Sequence, residues 1–161
     1  MNTKKLLLSA LLCCLNLSLA QKINASFPEG TIILTPSGPQ PIEALSGNLD
    51  KPITSLNPVD GTITKTKINC IRIGFECKLM LIATDKGSVI VGKKQKLFEG
   101  KKCKFVAAED LCPGDVLASK DRGNCTCLYL EEVGNRGNMY EISLEKPNAY
   151  FVSELRLLAI K

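Results

Sequence analysis

The sequence predicts an all-β domain with a closed or strongly twisted architecture. Short runs of β-branched and other apolar residues recur at spacings of about 8–12 residues, separated by Gly and Pro turn signals. No segment keeps a helical hydrophobic period beyond a single turn. These observations favour a sandwich-like or barrel-like β fold over a helical or α/β domain.

Each predicted element follows from local residue chemistry. Runs rich in Val, Ile and Thr are bounded by turn signals. They predict strands at 31–35, 53–56, 62–73, 79–83, 88–91, 104–107, 115–118, 127–133, 139–143 and 150–160, the last with a break near Ser153. Asp85-Lys86-Gly87 is a hairpin signal between two of them. The segment Pro36-Ser37-Gly38-Pro39 predicts a turn. Residues 41–45 and 107–111 each predict a single-turn helix.

Residues 1–20 are typical of a signal peptide. A short basic start is followed by an apolar run over 6–20 that ends in small residues at Ala20. This run is shorter than the roughly 20 apolar residues of a membrane span. Cleavage after Ala25 is an alternative, as is a lipid anchor on one of the two cysteines at 13 and 14.

Export to the periplasm or out of the cell is therefore expected, with membrane contact only transiently through the signal peptide. The remaining residues, 21–161, are enough for one domain with its own core, and no linker-like segment divides them. Removing the signal with its two lysines lowers the net charge from +5 to +3. The lysines at 93–96 and 101–104 are expected to be solvated, so no nucleic-acid partner is predicted.

Six of the eight cysteines follow the signal, at positions 70, 77, 103, 112, 125 and 127. An even number in an exported chain predicts at least one disulfide, and fifteen pairings are conceivable. Cys125 and Cys127 lie two apart on a predicted strand, so they should face the same side and have separate partners. Buried free thiols are the alternative. The chain has no histidine and no C-x-x-C pair, so neither a metal site nor any cofactor is expected.

Four short motifs follow one another along the mature chain: 26–31 (SFPEGT), 37–45 (SGPQPIEAL), 111–117 (LCPGDVL) and 148–153 (NAYFVS). In order, they resemble the opening motif, the following helical turn, the L-x-P-G-D turn and the closing strand of the Hint family. That family comprises hedgehog C-terminal domains, inteins and bacterial intein-like modules. The resemblance covers about residues 26–161, and it implies a twisted, pseudo-twofold Hint β fold with one or two single-turn helices.

The resemblance also implies a chemistry and shows what is missing from it. The family's opening Cys or Ser attacks the preceding carbonyl, so Ser26 would convert the Ala25–Ser26 amide into an ester. A hydroxyl needs an adjacent base, and the family supplies it as the histidine of a T-x-x-H element. Here Gln95 stands at or beside the histidine position and Gly92 replaces the threonine. Ser26 and Gln95 are therefore expected to be vestigial catalytic positions that lie close together in space.

The family's closing His-Asn pair is also replaced. The sequence has Ile160 and Lys161 at that place. Neither side chain carries the carboxamide that cyclises to release a downstream segment, so this half of the family's chemistry is not expected.

Three interpretations of function remain open at this level. The first is an exported, degenerate Hint domain that acts as a stable binding or structural module for an unknown protein partner. The second is an autoprocessing domain in which Ser26 initiates cleavage after Ala25. The third is a small secreted, cysteine-containing β protein, effector-like and unrelated to the Hint family.

Overall fold

The structure is a computed structural model that describes residues 23, 25–57, 60–75, 78–121, 123–134, 137–145 and 149–161. The predicted signal peptide lies outside the described residues. The elements before the first long hairpin are β1 (Phe27–Pro28), β2 (Ile32–Thr35), β3 (Gly38–Pro41), α1 (Ile42–Ser46), β4 (Ile53–Leu56), β5 (Ile63–Thr66) and β6 (Ile68–Gly74). The later elements are β7 (Lys78–Thr84), β8 (Gly87–Gly92), β9 (Lys96–Glu99), β10 (Lys104–Ala107), a 3-10 helix (Ala108–Asp110), β11 (Val116–Leu117), β12 (Cys125–Gly134), β13 (Met139–Leu144), β14 (Ala149–Val152) and β15 (Leu157–Ile160).

The strands pair antiparallel in two sheets. The larger sheet runs in the order β3-β2-β14-β15-β9-β11-β12-β7-β8, with β10 added on β9, β4 on β14 and β5 on β4. The smaller sheet has the order β1-β13-β6. Neighbours in the larger sheet, such as β9 and β15, are far apart in the sequence. The all-β prediction is confirmed.

Most predicted strands are present within one or two residues of their expected ends. The Asp85-Lys86-Gly87 hairpin is confirmed, since Thr84 pairs with Gly87 across the turn. The two helical turns also form, as α1 and as the 3-10 helix. The prediction of a single long strand at 62–73 is wrong, because this segment divides at Lys67 into β5 and β6, which lie in different sheets.

Three strands were missed, for identifiable reasons. β3 lies in a segment whose Gly and Pro residues predict a turn, but it is the edge strand of its sheet, where proline costs no ladder hydrogen bond. β1 is only two residues long. β9 carries Lys96 and Glu99 at its ends, although the carboxylate of Glu99 turns inward and accepts a hydrogen bond from the Val116 N–H at 2.8 Å.

The main core lies between the sheets and draws on almost every strand. Its fully buried large side chains include Phe27, Ile33, Ile82, Leu97 and Tyr150. A second apolar cluster is formed by Leu34, Ala149, Phe151 and Leu158, with Leu56, Phe98, Phe105 and Ile160 packed against it. Because successive strand residues point to opposite faces, Leu97 enters the main core while Phe98 enters the second cluster.

The disulfide prediction finds no support among the described cysteines. Cys70, Cys103, Cys112, Cys125 and Cys127 are all free thiols, and Cys77 lies outside the described residues. Cys125 and Cys127 face the same side, as expected, but both are buried in the main core. There they act as small apolar side chains, which is the usual role of a buried free cysteine.

Reaction with iodoacetamide at neutral pH should separate these thiols in the folded protein. Cys103 and Cys112 are exposed and should be alkylated first. Burial raises the pKa of Cys127 to about 11, and only the thiolate reacts, so Cys127 should remain unmodified until the protein unfolds. Peptide mass spectrometry after timed quenching measures both rates. Labelling of Cys103 and Cys112 only after addition of a reductant would contradict the free-thiol assignment.

Candidate functional site

Ser26 lies where the chain enters the domain, immediately before β1. The residue is completely buried, and its carbonyl accepts a hydrogen bond from the Gly92 N–H at 2.7 Å. The following residue, Phe27, pairs with Tyr140 of β13. The segment is therefore held between the end of β8 and the smaller sheet.

Gln95 lies in the turn between β8 and β9 and is also completely buried. Its backbone N–H donates to the Gly92 carbonyl at 2.9 Å. Gly92 therefore connects the two candidate residues, with its N–H bonded to Ser26 and its carbonyl bonded to Gln95. Ser26 and Gln95 thus each form a backbone hydrogen bond with the same residue, although they lie far apart in the sequence.

The side-chain amide of Gln95 is fixed by two carbonyl groups. Its Nε2 donates to the Ile160 carbonyl at 2.8 Å and to the Lys96 carbonyl at 3.2 Å. These contacts orient Oε1 away from the two carbonyls, and that buried oxygen has no hydrogen-bond partner among the described residues. An amide oxygen accepts hydrogen bonds but does not take up a proton at neutral pH. Gln95 can therefore orient a donor but cannot act as a general base.

The last strand closes the site from the other side. Ile160 pairs with Lys96 of β9, which places its carbonyl against Gln95. The next residue, Lys161, directs its ammonium group to the Glu141 carboxylate at 2.7 Å. The two ends of the described chain thus meet around Gln95 and β13.

Glu141 is the residue that sequence analysis missed. Its side chain on β13 is only 7% exposed, and Oε1 lies 2.9 Å from the Arg72 guanidinium as well as 2.7 Å from Lys161. The neighbouring residue Tyr140 pairs with Phe27, so this carboxylate lies one strand position from the segment that carries Ser26. A single glutamate in an alternating strand resembles a solvent-facing residue. Its partners are not sequence neighbours, since Arg72 lies opposite it on β6 and Lys161 follows β15. No local sequence signal therefore points to Glu141.

Tyr150 lies beneath the site and provides packing. Its ring meets Phe27 edge to face, with centroids 6.2 Å apart and an interplanar angle of 70°. Burial raises the pKa of the Tyr150 phenol, and the negative charge of Glu141 raises it further. Tyr150 therefore stays protonated at neutral pH and cannot serve as a base for Ser26.

An exposed serine at the start of a strand would tolerate replacement by alanine at almost no cost in stability. Ser26 is instead completely buried, and a buried polar group that loses its interactions typically costs about 1–3 kcal/mol. The position is therefore part of the core.

The described residues hold no cluster of three or more His, Cys, Asp or Glu side chains arranged to bind a metal ion. Within the same residues, no helix is long and apolar enough to cross a membrane.

Comparison with solved structures decides the fold. A bacterial intein-like domain from Clostridium thermocellum superposes with a TM-score of 0.77 at 18% identity, covering 86% of this chain and all of that one. The TvoVMA intein gives 0.70 at 21% identity, covering 83% of this chain and 96% of that one. The chain has the intein-like Hint fold. An intein from a hyperthermophile agrees, with a TM-score of 0.72 at 15% identity and coverage of 84% and 99%.

The intein-like fold agrees with the resemblance carried by the four sequence motifs. No protein-family model matches the sequence, and no curated protein matches it. At these identities the likeness establishes the fold alone. What this Hint domain does must be argued from its own side chains.

Proposed function

We propose that this chain is an exported Hint domain that no longer cleaves itself and serves as a stable binding module for an unidentified protein partner. The observation that carries the first half of the proposal is the state of Gln95. Its neutral amide donates to the Ile160 carbonyl, and Gln95 stands at or beside the position where the resemblance expects a histidine. General base catalysis typically contributes about 10²–10⁴ in rate, and a serine hydroxyl depends on it more than a thiol does.

The hydrogen bond from Gly92 supports the same conclusion. Attack by Ser26 would place negative charge on the Ala25 carbonyl oxygen, and acyl transfer needs donors aimed at that atom. The Gly92 N–H donates instead to the carbonyl of Ser26, which lies on the other side of the scissile bond. With glycine here, there is also no threonine hydroxyl to act as a further donor.

Export is proposed from the sequence. The basic start, the apolar run and the small residues before Ala20 form a signal peptide pattern. For an exported domain without self-cleavage, we propose that its surface binds a partner. No nucleic acid is expected among its partners.

Autoprocessing remains the second candidate, and Glu141 is the observation that favours it. This buried carboxylate lies beside the segment that carries Ser26, and carboxylates can act as general bases. If the chain cleaves itself, Glu141→Gln should slow cleavage by a factor of about 10² or more, whereas Gln95→Asn should not.

A fusion protein with a tag ahead of Gln21 tests the proposal. Hydroxylamine at neutral pH attacks an ester at Ser26 but leaves an amide intact, so it traps any acyl shift as a released tag. We expect no release from the native sequence and none from the matched Ser26→Ala variant. We also expect Ser26→Ala to lower the free energy of unfolding by about 1 kcal/mol, because the residue is buried. Tag release from the native fusion that disappears in Ser26→Ala would establish autoprocessing and overturn the proposal.

A further inference from the structure

One face of the larger sheet carries an apolar surface outside the main core. It is built from cross-strand pairs on three neighbouring hairpins, each pair joining two apolar side chains. The hairpins are adjacent because β4 pairs with β14 and β15 pairs with β9. The pairs are Leu56 with Ile63, Phe151 with Leu158, and Phe98 with Phe105.

Strand alternation shows that this face is distinct from the main core. Leu97 and Ala159 are completely buried in the main core cluster, whereas their neighbours Phe98 and Leu158 belong to the second cluster. Phe98 and Phe105 are only partly buried and meet edge to face at 5.2 Å. Ile63, at the rim, is 55% exposed. Covering these side chains with another apolar group is favourable, because it removes apolar surface from water.

The surface lines an open cavity of about 440 Å³. The six paired residues form most of its walls, and Gly61, Ala118, Ser119 and Lys120 complete the lining. A concave, mostly apolar space of this size with a few polar groups is typical of small-molecule sites. The cavity therefore fits a small apolar ligand.

The charged residues beside the cavity favour one kind of end group on a ligand. A second cavity of about 410 Å³ shares Ile63 and Lys120 with the first and adds Lys65 to the lining. Among the described residues, neither lining contains an acidic residue. Asp60 precedes the lining residue Gly61 and accepts hydrogen bonds from Thr62. Asp121 forms its close contact with Arg156 and lies 4.0 Å from the Lys120 ammonium. The apolar cavity thus opens beside two lysines, which is complementary to an anion.

We propose that this cavity binds a carboxylic acid with an extended apolar tail, of the medium-chain fatty acid class. The tail lies across Phe98, Phe105 and Phe151, and the carboxylate pairs with Lys120. This fatty-acid site goes beyond the proposed binding of a protein partner, and it does not depend on the state of Ser26.

Laurate, titrated below its micelle concentration into the full chain as exported, tests the site. Because the chain has no tryptophan, binding is followed by amide chemical shifts in ¹H–¹⁵N NMR spectra. We expect saturable shifts confined to β4, β5, β9, β10, β14, β15 and residues 118–120. Dodecanol should bind more weakly, and dodecyltrimethylammonium, with the opposite charge, should bind weakest of the three.

Two substitutions locate the ligand. Lys120→Met keeps the apolar stem and removes the charge, and should raise the Kd for laurate about 5-fold, as expected for one exposed ion pair. Lys51→Met, at an exposed lysine outside both cavities, should leave the Kd unchanged. Ala118→Phe fills the cavity and should abolish binding. Phe105→Ala, which removes one wall, should weaken binding even if Ala118→Phe fails to fold.

The outcomes separate this proposal from the previous one. Absence of saturable shifts, equal binding of the cationic amphiphile, or unchanged affinity in both Phe105→Ala and Lys120→Met overturns the fatty-acid site. Sedimentation showing a dimer that buries this face also overturns it, because a second copy would then be the occupant. Tag release at Ser26 in the fusion assay overturns the inactive-domain proposal while leaving the laurate result intact.

Discussion

The double variant Ser26→Cys/Gln95→His should restore thiol-induced cleavage of the bond after Ala25 in a fusion with an upstream tag. Cysteine supplies a nucleophile that ionises near pH 8.5, and histidine supplies a base that titrates near neutrality. The geometry around Gln95 favours the exchange. An imidazole N–H can replace Nε2 as donor to the Ile160 carbonyl, which leaves the second nitrogen near the place where Oε1 now lies without a partner. Release of the tag, followed by gel and mass spectrometry, measures the reaction.

The single variants are the controls for this repair. Neither Ser26→Cys nor Gln95→His alone should cleave as fast, because nucleophile and base act as a unit and their effects are far from additive. Ser26→Cys combined with Gln95→Asn keeps an amide at the second position and should stay inactive. If the double variant stays intact in excess thiol at neutral pH, the missing base is not the only defect. The Gly92 hydrogen bond to the Ser26 carbonyl is then the second defect to test.

Phe27→Ala should lower the free energy of unfolding by about 3–5 kcal/mol, the range for removing a buried aromatic ring. Phe27 is completely buried and packs edge to face on Tyr150. It is also half of the two-residue strand β1, so the ring contributes much of what holds the segment with Ser26 against the sheets. Urea unfolding measures the change. Phe75→Ala is the matched control, because Phe75 is 57% exposed and should change stability by less than about 0.5 kcal/mol.

A loss at Phe27 no larger than that at Phe75 would contradict the packing described for β1. An intermediate loss in Phe27→Leu would agree with it, because leucine restores part of the buried apolar volume.

The fold was predictable from the sequence because its strands are short, apolar and bounded by turn residues. Local chemistry placed the hairpin at Asp85-Lys86-Gly87 and the helical turn α1. Sheet assignment was less accessible, since the division at Lys67 depends on which distant strands pair with β5 and β6. The proline-containing strand β3 was missed for the same reason, because its position at the edge depends on how the whole sheet pairs.

The candidate site was predictable only in part. Ser26 and Gln95 were located through motif order, and the structure joins them through Gly92. Glu141 was missed because its partners Arg72 and Lys161 come from other parts of the sequence. The disulfide expectation rested on cysteine count, which is informative for domains that lack a core. Here Cys125 and Cys127 are part of the core itself.

We propose that this Hint domain does not cleave itself, and intact mass spectrometry of the chain from Gln21 to Lys161 is the direct test. The protein is incubated for several days at neutral pH, with and without thiol, and its mass is measured at intervals. We expect one species whose mass corresponds to residues 21–161 throughout. A second species that begins at Ser26, growing with time and absent in Ser26→Ala, would contradict it.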